Sequence, residues 1–228
     1  GKIMKISKTL LGVTGIMFIS SQVFAEKDDT NVYLRLGGSV YEKYKTYNDK
    51  GYQIGDKNAE AAVVSFAVEV TKEISEEFEI GIGIGAQYFD KSLTDTRRYS
   101  GNKVSLEQQM PDYKSVPIYL VTKYNFDRIG NWRPYLKWNI GYSFNKFKDD
   151  FKGKMTDINT GLKIDYSHKV KADNGVYLGM GGGVEYKNFL IDLMYEINKF
   201  KIKIDGESDK RDYDSQRITL SIGYRFNF

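Results

Sequence analysis

Eight stretches of this chain carry apolar residues on every second position, and that period constrains the fold more than anything else in the sequence. The last of them, "ITLSIGYRFNF", is the plainest. Ile218, Leu220, Ile222, Tyr224, Phe226 and Phe228 fall on one side, and Thr219, Ser221, Gly223, Arg225 and Asn227 on the other. Side chains alternate across a strand, so each stretch predicts a ribbon with one apolar and one polar face. The seven earlier apolar rows start at Val32, Ala62, Phe78, Val116, Leu136, Val176 and Phe189, and end at Val40, Val70, Tyr88, Tyr124, Phe144, Tyr186 and Ile197. Tyr (18), Phe (13) and Gly (22) are plentiful and Pro (3) is scarce, which favours strands over helix or disorder.

The connections differ in length in an ordered way. Strands two and three, four and five, and six and seven are joined by the short turns "EISEE", "DRIGNWR" and "KN". The other four connections, about 46–60, 90–114, 145–175 and 198–216, are long and polar. Short turns at one end and long loops at the other fit an even-stranded barrel in a membrane, with its short turns in the periplasm. A soluble periplasmic β-sandwich is the rival, but it would have to bury all eight apolar rows in one core.

The N-terminus predicts a leader. Reading from Met4, Lys5 and Lys8 precede the apolar run "LLGVTGIMFI", and "SSQVFA" supplies small residues at Val23 and Ala25 before a cut ahead of Glu26. Residues 1–25 are therefore expected to be a signal peptide, with 1–3 a remnant ahead of Met4, and 26–228 the barrel domain. Lys2, Lys5 and Lys8 belong to the leader, so 34 basic residues less three leaves 31 against 30 acidic ones. A nucleic-acid partner loses its support with that charge. Past the leader no apolar run is long enough for a helical span. With no Cys and one His, neither a thiolate site nor a histidine metal site is expected.

On the polar faces the charges balance: Arg35, Lys123, Lys137, Arg217 and Arg225 against Glu69, Glu79, Glu185, Asp192 and Glu196. An eight-stranded barrel has a lumen barely wide enough for side chains, where unpaired charge is costly. These ten residues are the expected lumen charge network. Gly37, Gly81, Gly83, Gly85, Gly141, Gly179, Gly181, Gly183 and Gly223 fall on the same face and leave room for long side chains. No helical pattern follows "GIGIG" or "GMGGG", so neither reads as a phosphate loop. Phe78, Tyr124, Phe126, Trp132, Tyr186, Phe189, Tyr224, Phe226 and Phe228 cluster toward the turn end, and Tyr41, Tyr88, Tyr142, Phe144 and Tyr195 toward the loop end, as two interfacial girdles would.

"GYRFNF", with aromatics at alternate positions, resembles the C-terminal signal of Gram-negative outer-membrane barrels, and residues 31–228 resemble the small eight-stranded OmpX, OmpA-barrel and opacity-protein group. The resemblance implies an all-β transmembrane up-and-down barrel in the bacterial outer membrane. It also implies recognition of Tyr224, Phe226 and Phe228 by the barrel-assembly machinery; separately, Lys and Arg near the outer rim are expected to meet the lipid A phosphates of lipopolysaccharide. The function it implies is a monomeric, non-enzymatic surface protein without cofactor, acting in adhesion or envelope integrity through its long loops. Two of those loops carry alternation of their own: Leu162, Ile164 and Tyr166, and, at shifted apolar parity, Phe200, Ile202 and Ile204. They predict a small sheet above the membrane that could meet a host or cell-surface ligand. A narrow channel is the alternative, opposed by the paired charges and by the inward Tyr33 and Tyr119. A lipid-modifying enzyme is the third reading; its one histidine, His168, adjoins Ser167 and so points to the opposite face. Asp157, Asp165 and Asp173 read as solubilising loop carboxylates.

Overall fold

The computed structural model describes residues 30–47, 54–58, 63–89, 93–99, 104–110, 112–206 and 208–228. The expected leader, 1–25, lies outside these. In chain order the strands are β1 (Thr30–Tyr47), β2 (Ile54–Asn58), β3 (Val63–Glu73), β4 (Phe78–Phe89), β5 (Leu93–Tyr99), β6 (Val104–Met110) and β7 (Tyr113–Asn125), then β8 (Trp132–Phe147), β9 (Phe151–Asp157), β10 (Lys163–His168), β11 (Val170–Ala172), β12 (Gly175–Tyr186), β13 (Phe189–Ile204) and β14 (Arg211–Asn227). Among the described residues there is no helix.

Eight of these strands pair antiparallel in the order β1-β3-β4-β7-β8-β12-β13-β14, and β14 pairs back onto β1, which closes the barrel. Closure runs from Asn31 opposite Asn227 to Tyr47 opposite Asp212, and the Phe228 amide donates to the Thr30 carbonyl at 3.0 Å. With no edge left open, every barrel strand has a partner on both sides, which lets strands cross hydrocarbon. The three short turns lie at one end. At the tightest, Lys187 adopts φ 57, the positive value that a two-residue hairpin needs.

The two faces differ as the period predicts. Leu36, Ile82, Leu120, Ile140, Met180, Leu193 and Ile222 point outward and are exposed, with Ile140 and Ile222 both at 59%. So large an apolar belt is foreign to a protein surrounded by water. At its turn end the rings touch in a band: Phe78 with Tyr124 (centroids 4.9 Å), Tyr124 with Phe126 (5.0 Å), Trp132 with Tyr186 (4.6 Å), and Tyr224 with Phe189 (5.1 Å) and Phe226 (4.8 Å).

Beyond the belt the chemistry turns inside out while the backbone alternation continues. On β13 the outward row runs Leu193, Tyr195, Ile197 and then Lys199, Lys201, Lys203; the inward row runs Met194, Glu196, Asn198 and then Phe200, Ile202, Ile204. On β8 the switch falls at Lys146 and Phe147, and on β14 at Asp214 and Tyr213. Below the switch the strand is apolar toward lipid and polar toward the lumen. Above it the strand is built like a soluble barrel, with its apolar side inside.

One sequence expectation needs correction. The four connections taken as loops are largely strand: β1, β8, β13 and β14 extend into them, and the remainder forms β2, β5, β6, β9, β10 and β11. The apolar rows end where the polarity inverts, so reading strands from those rows alone stops them short. β1 carries one irregularity, where the pairing shifts between Ser39 and Tyr41. This β-bulge leaves Val40 and Tyr41 both exposed and turns Glu42 inward.

The loop strands make a second sheet in the order β10-β9-β6-β5. It joins two different connections through the β6–β9 pairing, from Val104 opposite Asp157 to Gln109 opposite Lys152. At its β9–β10 turn Asp157 accepts the amides of Asn159 (2.8 Å) and Thr160 (3.1 Å), which hold its carboxyl below the usual range. Asp173 pairs with Lys210 at 2.7 Å. These two carboxylates thus fasten turns and loops rather than merely solvate them.

Candidate functional site

The barrel interior is stacked in layers. Nearest the turns, Glu79 accepts from Tyr33 (2.8 Å), Thr71 (2.7 Å), Asn125 (2.8 Å) and Lys123 (3.1 Å). Lys123 also reaches Glu185 at 3.4 Å, and Arg225 meets Glu185 at 2.9 Å. The Lys123 ammonium lies 4.7 Å from the ring centroids of both Tyr33 and Tyr135, adding cation–π attraction.

The middle layer centres on Glu69. Arg35 Nε and Lys137 Nζ each donate to it at 2.8 Å, and the Tyr119 hydroxyl at 2.9 Å. Arg35 also pairs with Asp192, which accepts from Tyr135 at 2.8 Å. Glycine makes room for this layer. Tyr119 stands in register between Gly83 on β4 and Gly141 on β8. A Cβ on Gly83 would fall 2.4 Å from the Tyr119 ring, and one on Gly141 would fall 2.1 Å from the Ile118 carbonyl. A larger residue at Gly83 would push the ring off Glu69, and one at Gly141 would press on the β7 backbone that carries it.

Above this, Glu196 accepts from Arg217 and Thr219, both at 2.6 Å, and from Tyr177. Glu42, in register with Arg217, faces the same region. A neutral layer follows, where Asn198 donates to Ser115 (3.1 Å) and Asn145 (2.9 Å). The last layer is apolar: Val63, Tyr113, Phe147, Val170, Phe200, Ile202, Ile204 and Tyr213 pack together across the loop end. Phe200 and Tyr213 have ring centroids 4.9 Å apart, and Tyr113 and Phe200 5.6 Å.

All ten charged residues expected in the lumen lie buried there, in three clusters about Glu79, Glu69 and Glu196. The sequence reading missed Glu42, because the bulge that turns it inward falls between two apolar residues. It also missed Tyr113, Phe147 and Tyr213, although each simply continues an alternation already read. A cavity of about 40 Å³, bordered by Arg35, Glu69, Gln87, Lys137, Asp192 and Glu196, has room for no more than a few waters. His168 and Ser167 are both exposed at the end of β10; His168 shares a face with Tyr166, their ring centroids 5.7 Å apart. Among the described residues no three His, Cys, Asp or Glu converge on a metal position.

A closed eight-stranded antiparallel barrel with a polar, ion-paired interior and an apolar outer belt defines an integral outer-membrane protein of bacteria. The sequence matches the outer membrane protein beta-barrel domain over residues 11–226, and the chain belongs to that family. An uncharacterized protein of Pasteurella multocida is 29% identical over 238 residues, covering 97% of this chain and 99% of that one. Among solved structures, the attachment invasion locus protein Ail of Yersinia pestis, crystallised with the heparin analogue sucrose octasulfate, is 18% identical. It covers 87% of this chain and 99% of its own, with a TM-score of 0.40. Neisserial surface protein A is 15% identical (86% and 97% covered, TM-score 0.43), and the outer membrane protease OmpT of Escherichia coli 9% identical (89% and 98%, TM-score 0.42).

Proposed function

We propose that this protein is a non-enzymatic surface barrel, its lumen closed by ion pairs below and by the apolar cap above, and its working part the extracellular β10-β9-β6-β5 sheet. The observation that carries this reading is that β10 ends that sheet among the described strands. Among the described residues β10 pairs with β9 alone. Ile164 on it and Leu162 just before it are both exposed. An unpaired strand edge flanked by apolar side chains can take up an extended segment of a partner protein through main-chain hydrogen bonds. A role in adhesion follows from that edge, and a role in envelope integrity from the sealed barrel. A lysine at position 164 would blunt the edge without touching the barrel. Cells displaying Ile164→Lys should bind host cells or matrix no better than cells lacking the protein; binding equal to the natural chain would overturn the adhesive role.

The same reading assigns two partners during the protein's life. Lipopolysaccharide surrounds the outer half of the barrel. The barrel-assembly machinery takes up the chain through Tyr224, Phe226 and Phe228, whose side chains end the outward row of β14. Serine at all three positions should leave the chain out of the outer-membrane fraction while the leader is still removed. Normal delivery of that variant would reassign the signal.

A further inference from the structure

The outer face of the β7–β8 pair changes character over three successive rungs. Val116 faces Phe144, then Lys114 faces Lys146, then Asp112 meets Lys148 at 3.9 Å. The first rung is apolar and the third is an opposite-charge pair. The middle one sets two lysines directly against each other, an arrangement that destabilises a sheet by itself. It recurs where Lys171 on β11 faces Lys203 on β13. Among the described residues no carboxylate lies at ion-pair distance from these four lysines, whereas Lys201 has Asp212 at 3.7 Å and Lys210 has Asp173 at 2.7 Å.

Position says which anion would relieve the repulsion. Lys114 and Lys146 stand about 7 Å along the strands from Val116 and Phe144, the last apolar rung of the belt. That places their ammonium groups where hydrocarbon gives way to headgroups. Lys114 also lies 5.0 Å from the ring centroid of Tyr88, one of the aromatics at this boundary. The second pair is farther out, with Lys203 six residues past Ile197 on β13.

We propose that the Lys114–Lys146 rung binds a phosphate on the headgroup of an outer-leaflet glycolipid. This deepens the lipid contact proposed above and rests on the membrane-barrel reading.

The test uses the full barrel refolded in detergent, mixed with phosphatidylcholine micelles doped with lipid A or with dephosphorylated lipid A, and read by native mass spectrometry. The natural protein should retain lipid A and not its dephosphorylated form. Lys114→Gln with Lys146→Gln should weaken retention roughly thirtyfold, at about 1 kcal/mol for each lysine near an anionic surface. Arginine at both positions should preserve it, and Lys148→Gln should change it little. Equal retention by the glutamine variant, or equal retention of both lipids, overturns the proposal. So does full displacement by millimolar inorganic phosphate, which would mean a free-anion site. Heat-modifiable mobility on a gel reports the barrel itself in every variant, so failure of the fold and failure of the lysine site are read separately.

Discussion

Alanine at position 69 should cost the barrel about 3–5 kcal/mol, the penalty for removing one partner of a buried ion pair. Glu69 is shared by Arg35 and Lys137, each at 2.8 Å. Arg35 would keep Asp192, but Lys137 would lose the one carboxylate that it pairs with among the described residues. The stranded ammonium is the main source of the cost, which sets up a second variant. Lys137→Met in the Glu69→Ala background removes that charge and should restore part of the loss, a coupling of roughly 1–3 kcal/mol. The measurement is the urea midpoint of unfolding in detergent, followed by gel mobility without boiling. Equal stability of Glu69→Ala and the natural protein would show that water, not the cluster, compensates the cations.

Phe200→Ala should be nearly as damaging, about 3–5 kcal/mol for a buried phenylalanine. Phe200 is central to the cap, with Tyr113 and Tyr213 against its ring. The variant also separates two ways of sealing a lumen. Planar-bilayer recordings should remain silent, because the clusters about Glu196, Glu69 and Glu79 still fill the barrel beneath the missing ring. A step conductance from Phe200→Ala would place the seal in the cap alone.

The two variants probe parts of the molecule that were unequally legible in the sequence. The belt and the charged interior follow from a period of two, so Leu120 and Lys123 could be assigned opposite faces without coordinates. Which charge meets which could not. Arg35 meets Asp192 across 157 residues because the strands are staggered around the closed sheet, and stagger leaves no mark on composition. Strand ends were misjudged for a different reason. Asn145 and Phe147 look like the start of a polar loop when only outward apolar rows are followed, yet they continue the inner face of β8 past the point where its environment changes. The loop sheet was half visible: Leu162, Ile164 and Tyr166 alternate plainly, whereas β5, "LTDTRRY", shows little apolar patterning and is defined by its pairing with β6.

Because β13 changes solvent midway, it carries its own depth gauge. A shift of two residues toward the periplasm would drag Lys199 into hydrocarbon, and the opposite shift would lift Ile197 into water. The vertical setting of the protein in the bilayer is therefore written into the strands themselves, and the stretches between them are free to diversify without unmooring it.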